Sequence, residues 1–307
     1  MNEPKVTVVI PTYNRSDLLP RAIKSIQNQT YQNYELLVVD DASTDNTDEL
    51  MEQFISDKIK YIKLNENVGQ CIARNKASEK ATGEYIGFLD SDDEWLPEKI
   101  EKQIKLFQNS PVENVGAVYC GFIEKDEVLN KTEVINRDNL RGHIYDRFLS
   151  GFCPSTTSMF LVKMEAYRKV NGFDGELITF VDYDLWLRIS KAGYGFDYVD
   201  EPLIVKYEHQ GDQMAKNLDK RLKGLSQFLG KWGDEIKRVA GKGTYQKFKR
   251  AKVEVVVKSM LEKASGDYRK DIIRAVGLLR EVNSKRVKLY LKALLIFIFG
   301  RTSRQSA

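Results

Sequence analysis

Histidine is nearly absent from this chain of 307 residues: there are two, His143 and His209. A zinc hydrolase built on two or three imidazoles is therefore not expected. The three cysteines, Cys71, Cys120 and Cys153, stand far apart and form no C-x-x-C pair. That argues against a zinc site or a disulfide framework and suits a reducing compartment. No apolar run reaches the roughly 20 residues a membrane-spanning helix needs. No signal peptide precedes the first strand-like segment, so a cytoplasmic protein is expected. The G-x-G-x-x-G pattern of dinucleotide-dependent oxidoreductases does not occur, nor does the G-x-x-x-x-G-K-[ST] of P-loop nucleotidases. A nucleotidyltransferase would be expected to carry a glycine-rich loop near its first strand. Pro-Thr-Tyr-Asn-Arg stands there instead.

What is present is an ordinary soluble composition, 42% hydrophobic and 30% charged. Lysine plus arginine (48) nearly balances aspartate plus glutamate (44), for a net charge of +4. The distribution carries more than the sum. Acidic clusters lie in the first half, and lysine and arginine dominate from about Arg221 onward. A basic region suits nucleic acid, an anionic membrane surface or a solvated helix face. Nucleic acid is not expected, because the tail's aromatics form an apolar block and are not interleaved along a basic surface.

Val6 to Ile10, Tyr34 to Val39, Ile59 to Leu64 and Tyr85 to Leu89 are short apolar runs that read as strands. Between and after them, helical spacing covers Asp17 to Gln29, Thr44 to Ile55, Ala73 to Ala81 and Pro97 to Phe107, with Gly83 expected to close the third helix. Strands alternating with helices predict an α/β fold with a mostly parallel sheet flanked by helices. Further strands are expected at Val115 to Phe122, Met159 to Val162 and within Tyr198 to Tyr207. Helices are expected at Glu165 to Val170 and Asp182 to Ala192. From about Asp212 the pattern is helical and lysine-rich, so residues 1–211 read as the α/β domain and 212–307 as a helical extension.

The chemically loaded residues follow strand ends, which is the ligand-binding edge of open α/β sheets. Asp40-Asp41, Asp90-Ser91-Asp92-Asp93 and Asp182-Tyr183-Asp184 are acidic clusters, and close carboxylates need a compensating charge. A hard divalent cation with oxygen ligands is one such compensator. Aspartates also cap helices, which is the simpler reading for Asp45 and Asp48.

Five motifs now stand in order: Val-Val-Ile-Pro-Thr-Tyr-Asn-Arg (8 to 15), Val-Val-Asp-Asp-Ala-Ser-Thr-Asp (38 to 45), Asn-Val-Gly-Gln-Cys-Ile-Ala-Arg-Asn (67 to 75), Leu-Asp-Ser-Asp-Asp (89 to 93) and Asp-Tyr-Asp-Leu-Trp-Leu-Arg (182 to 188). Together they resemble family 2 glycosyltransferases over roughly residues 5 to 210. The resemblance implies a GT-A fold, Rossmann-like, and inverting transfer of a sugar from a nucleoside-diphosphate sugar, a UDP-sugar first of all, to an acceptor hydroxyl. It implies that Pro11, Thr12 and Tyr13 hold the nucleotide, that Asp41 accepts from the base, and that Asp40 holds the loop or the ribose. Arg74 is placed near the nucleotide, Asp90 and Ser91 near the ribose or sugar, and Asp92 on a Mn2+ or Mg2+ ion. His209 matches a metal-associated histidine.

The resemblance makes Asp182 the base that takes the acceptor's proton, with Asp184 as its rival. Two residues apart on a helix, their side chains point about 200° from each other. Trp186, one turn on, is expected beneath the acceptor site or simply in the core. Where the family shows Glu-Asp, this chain has Val181-Asp182, so a supporting contact is lost. That departure leaves open a catalytically impaired, membrane-surface scaffold. The acceptor class implied is a carbohydrate or lipid-linked saccharide in cell-surface polysaccharide or glycolipid assembly. Residues 285–299 are basic first and apolar after, which suits a helix lying in the interface at the inner face of the cell membrane, or one packed on its own protein.

Overall fold

The computed structural model describes residues 3–127, 130–135, 140–154, 156–208, 218–263, 268–286, 288–290, 293 and 296. The chain divides into two compact units: Met1–Phe148, Phe152–Glu176 and Val181–Gln210 make the first, and Leu149–Gly151, Leu177–Phe180 and Gly211–Ala307 the second.

In the first unit the β-branched run Val6–Thr12 forms β1, every residue of it buried. Tyr34–Asp40 forms β2 on one side, with Ile59–Lys63 as β3 beyond it, and Tyr85–Phe88 pairs as β4 on the other. All three pairings are parallel. Helices α1 (Leu19–Gln27), α2 (Thr47–Glu52) and α3 (Gln70–Ser78) make the crossovers. The sheet continues with β5 (Glu94–Trp95), β6 (Val115–Asp126), β7 (Lys131–Ile135), β8 (Leu161–Lys163) and β9 (Gly195–Glu208), giving the order β3-β2-β1-β4-β8-β6-β9-β5 with β7 on β6. The α/β architecture is the expected one. Its parallel character is confined to β3-β2-β1-β4 and to β6 with β9, while β8 runs against both β4 and β6.

Other boundaries differ for physical reasons. Gly83 does not close α3, which ends at Ser78. A Cβ on Gly83 would lie 2.5 Å from the backbone nitrogen of Thr7, so the residue is small because it passes against β1. Met159 lies in a 3-10 turn, Thr157–Met159, and β8 begins after it. Pro202 sits within β9 at a register shift against Gly121, the irregular position a proline in a strand requires. The two-residue β5 and the exposed β7 carry too little apolar alternation to be read from sequence.

One polar pin joins this sheet from within. Glu35 on β2 is 2% exposed and accepts from the Thr7 hydroxyl (2.7 Å), the Thr82 N–H (2.7 Å) and hydroxyl (2.8 Å), and the Lys5 amine (3.3 Å). Burial by itself pushes its carboxyl up, but these donors outweigh burial and hold it at about 2.

Helices α4 (Lys99–Asn109), α6 (Met164–Lys169) and α7 (Val181–Lys191), with α5 (Tyr145–Leu149) up to Phe148, complete the first unit. The second contains α8 (Leu218–Val239), α9 (Lys242–Lys263) and α10 (Tyr268–Glu281). They enclose their own apolar cluster, including Leu225, Val257, Leu261, Ala275 and Leu279. Of the expected interfacial stretch 285–299, most lies outside the described residues; Leu289, Ala293 and Ile296 join that cluster. Among the described residues no helix is long and apolar enough to cross a membrane.

Candidate functional site

The parallel register sets the C-terminal end of β1 beside that of β2, with Thr12 opposite Asp40. Pro11 and Thr12 are buried, and among the described residues the Thr12 hydroxyl has no hydrogen-bond partner; Tyr13 turns outward at 45% exposure. The two following loops are stitched together. Asn14, in the left-handed region at φ 50°, donates its N–H to the Ser43 hydroxyl (2.9 Å), and its side-chain oxygen accepts from the Thr44 N–H (2.7 Å). Asp40 is fully buried and accepts from the Ser43 N–H (2.9 Å) and hydroxyl (2.5 Å) and from the Tyr61 phenol (2.6 Å). It therefore builds the loop, and the alternative of a ribose contact has no exposed oxygen to use.

Asp41 is 4% exposed, and each of its carboxylate oxygens accepts one backbone N–H, from Val68 (2.7 Å) and Gly69 (2.8 Å). Gly69 has φ 85°, a conformation that glycine adopts without steric cost. Asp41 thus fixes the turn that opens α3. From that helix Arg74, 2% exposed, donates to Asp90 at 2.5 Å and lies 5.2 Å from the Phe173 ring centroid, while its Nε has no partner among the described residues. The other Asp90 oxygen accepts from the Thr156 hydroxyl (3.3 Å).

The loop from Asp90 to Asp93 is organised by Ser158. Its hydroxyl accepts the Asp90 N–H (3.2 Å) and donates to Asp93 (2.7 Å). Asp93 is 2% exposed and is pushed well above the carboxylate range by burial, and further by the charges of Asp90 and Asp92. Ser91 and Asp92 are partly exposed. The Asp92 carboxylate lies 3.8 Å from the Arg15 guanidinium, and its backbone carbonyl accepts from Arg21 (3.0 Å).

Asp182 is in the first turn of α7 and partly buried. Burial raises its carboxyl to about 6; the Tyr183 N–H bond counteracts, the Asp90 charge raises it again and Arg74 lowers it. Asp182, Asp90 and Arg74 therefore act on one another. Asp184 points elsewhere. It is fully buried and paired with Arg188 at 2.7 Å, which corrects its place as a rival base to that of an internal ion pair. Trp186 is also fully buried, stacked on Phe160 with centroids 3.7 Å apart, so it offers no surface to an acceptor and is a core residue. His209 lies outside the described residues.

Sequence reasoning did not single out Arg15, Arg21 or Ser158. Arg15 closes the Pro-Thr-Tyr-Asn-Arg run, but its opposite number, Asp92, is 77 residues on, and nothing local announces the pair. Ser158 belongs to a hydroxyl-rich stretch that looks like any polar loop.

Among the described residues no three histidine, cysteine or acidic side chains converge as a complete cation site. The donor chemistry nevertheless fits a hard divalent ion completed by phosphate oxygens. Asp93 is buried on Ser158, whereas the Asp90 and Asp92 carboxylates, beside Arg74 and Arg15 respectively, are the partly exposed oxygen donors of the loop.

The model of the family "Glycosyl transferase family 2" matches residues 7–170. TuaG of Bacillus subtilis (strain 168) is 42% identical over 105 residues, 34% of this chain and 42% of TuaG. The match thus spans less than half of TuaG. The UDP-Glc:alpha-D-GlcNAc-diphosphoundecaprenol beta-1,3-glucosyltransferase WfgD of Escherichia coli is 30% identical over 237 residues, 75% of this chain and 87% of WfgD. Among solved structures, mannosyltransferase PcManGT from Pyrobaculum calidifontis, in complex with GDP-Man and Mn2+, is similar with a TM-score of 0.61 at 19% identity, covering 98% of this chain and 89% of that one. S. aureus TarS in complex with UDP-GlcNAc is similar with a TM-score of 0.56 at 16% identity, covering 95% of this chain and 80% of TarS. At these identities the structures bear on the fold alone.

Proposed function

We propose that this chain, which belongs to glycosyl transferase family 2, moves a sugar from a UDP-sugar to an acceptor hydroxyl, with inversion, in the assembly of a cell-surface polysaccharide on a lipid-linked saccharide. One observation carries the reading: Arg74, Asp90 and a half-buried Asp182 held near pH 6 form a single charged group beside Asp92 at the strand ends. WfgD's activity, transfer from UDP-Glc to a diphosphoundecaprenol-linked sugar, supports the donor and acceptor classes.

Each residue then has a chemical task. Thr12 supplies a buried hydroxyl with no partner among the described residues, and Tyr13 an exposed ring, at the nucleotide end. Asp41 fixes the turn through which α3 presents Arg74, and Arg74 holds Asp90 in place to accept from sugar or ribose hydroxyls. Asp182 takes the acceptor's proton as its oxygen attacks the anomeric carbon; a base near pH 6 is both ionised and basic enough at neutral pH. Asp92 would hold a Mn2+ or Mg2+ ion together with the donor's diphosphate. When bound, such an ion supplies positive charge that offsets the charge growing on the departing diphosphate.

A panel of UDP- and GDP-sugars, assayed for donor hydrolysis and transfer with and without Mn2+, tests the proposal. UDP-sugar turnover that needs the cation and disappears in Asp92→Ala, with an unchanged melting temperature, is expected. Full turnover by Asp92→Ala, or none by the native chain with any donor, would overturn the reading.

A further inference from the structure

We propose that Lys99 and Gln103 form a buried latch that positions the Asp90–Asp93 loop, acting through the Thr157–Met159 turn. For its catalytic consequence the proposal rests on the transferase reading above; its structural content does not.

Lys99 is fully buried at the start of α4, its amine 3.7 Å from the Trp95 ring centroid. Among the described residues it makes no ion pair, and its hydrogen bond goes to the side-chain oxygen of Gln103 (2.6 Å), which is fully buried as well. Burying an ammonium with an aromatic face and one amide oxygen as compensation is costly. Burial pushes the Lys99 amine down to about 8, which is that cost seen from the proton's side. A methionine of similar length would fill the same volume without it. Stability therefore does not account for a lysine here.

Its geometry does. A lysine amine only donates, so the Gln103 oxygen must face it, and the amide's two hydrogens are left to point the other way. They reach the carbonyl oxygens of Val118 (3.0 Å) and Met159 (2.9 Å). Met159 ends the 3-10 turn, and the ring under Lys99 holds the same turn from its other side: the Trp95 indole N–H donates to the Ser158 carbonyl (2.9 Å). Two arms thus leave Lys99, one through Gln103 and one through Trp95, and both end on the turn that carries Ser158. The Ser158 hydroxyl then bonds Asp90 and Asp93, on either side of Asp92. Lys99 is a positioning residue: it touches no substrate, and it sets where the carboxylates stand.

The test compares the native chain with Lys99→Met, and with a Lys99→Met, Gln103→Leu double variant that leaves no unmatched polar group on α4 should the single variant fold poorly. Three readouts are taken on one preparation: melting temperature, hydrogen exchange of residues 89–96 against residues 6–12, and donor kinetics. The expected result is exchange at 89–96 faster by about tenfold, the equivalent of losing one hydrogen bond's worth of restraint, with unaltered exchange in β1 at a temperature where the variant remains folded. The Michaelis constant for the donor with Mn2+ should rise in parallel. A purely packing role for Lys99 would loosen both regions alike. Exchange at 89–96 within twofold of the native chain in a folded variant would overturn the latch. Failure of the native chain to turn over any donor would count against the transferase reading alone, and the exchange data would still decide the latch.

Discussion

At the scale of single residues, the two aspartates of α7 show how burial divides neighbouring carboxylates. Asp184 spends its charge on Arg188 inside the unit, whereas Asp182 stays at the helix start with its carboxyl raised to about 6 from the ordinary 3.8. As the base, Asp182 must be ionised, so transfer should fall as pH drops below about 6. Asp182→Asn should lose about 10²- to 10⁴-fold in turnover while still binding nucleotide. The same shift has a stability consequence. Because the folded pKa lies above the unfolded one, the protonated form's contribution is complete below about pH 4 and is lost by about pH 6. Asp182→Asn should therefore melt higher than the native chain at pH 8, and the difference should vanish at pH 4; thermal scans at both values check it. Asp184→Ala should instead strand Arg188 and cost about 3 to 5 kcal/mol, seen in urea unfolding. If Asp184→Asn abolishes transfer at full stability, the assignment of the base is wrong.

At the scale of elements, Glu35 is a buried polar tie among the parallel strands. Its bonds to Thr7 and Thr82 tie β2 to β1 and to the residues leading into β4. Replacing it with alanine leaves those donors facing an apolar gap, and a loss of about 3 kcal/mol is expected in denaturant titration. The folded carboxyl sits at about 2, below the ordinary 4.5, so this contribution is present above about pH 4.5 and disappears as pH falls through 2. Acid unfolding of Glu35→Gln should accordingly be shallower over that window than that of the native chain.

At the scale of the whole molecule, the second unit differs from the first in chemistry: it is helical, lysine-rich and closed around its own cluster. We propose that the basic residues of its C-terminal stretch meet an anionic membrane surface electrostatically, while Leu289, Ala293 and Ile296 of the same stretch stay in the unit's own cluster. Cosedimentation of the full chain with phosphatidylserine-containing vesicles at low salt should exceed that of a chain lacking residues 285–307. Equal binding by both, or none by either, would remove the membrane from the account.

The sequence by itself determined the α/β order, the strand ends and the family, because β-branched runs, Pro-Thr-Tyr-Asn-Arg and Asp-Ser-Asp-Asp are local patterns that short-range sterics and chemistry fix. It named Asp182 as the base with Asp184 as its rival, and left Trp186 between acceptor site and core and Asp40 between loop and ribose, alternatives that turn on burial. Only the tertiary structure decided that Asp41 shapes the α3 turn, that Arg74 reaches Asp90 across 16 residues, and that Ser158 braces a loop 65 residues before it. Those contacts join distant segments, and a hydrogen bond between distant segments is set by where the sheet register and the packing of helices bring them, which no spacing along the chain encodes.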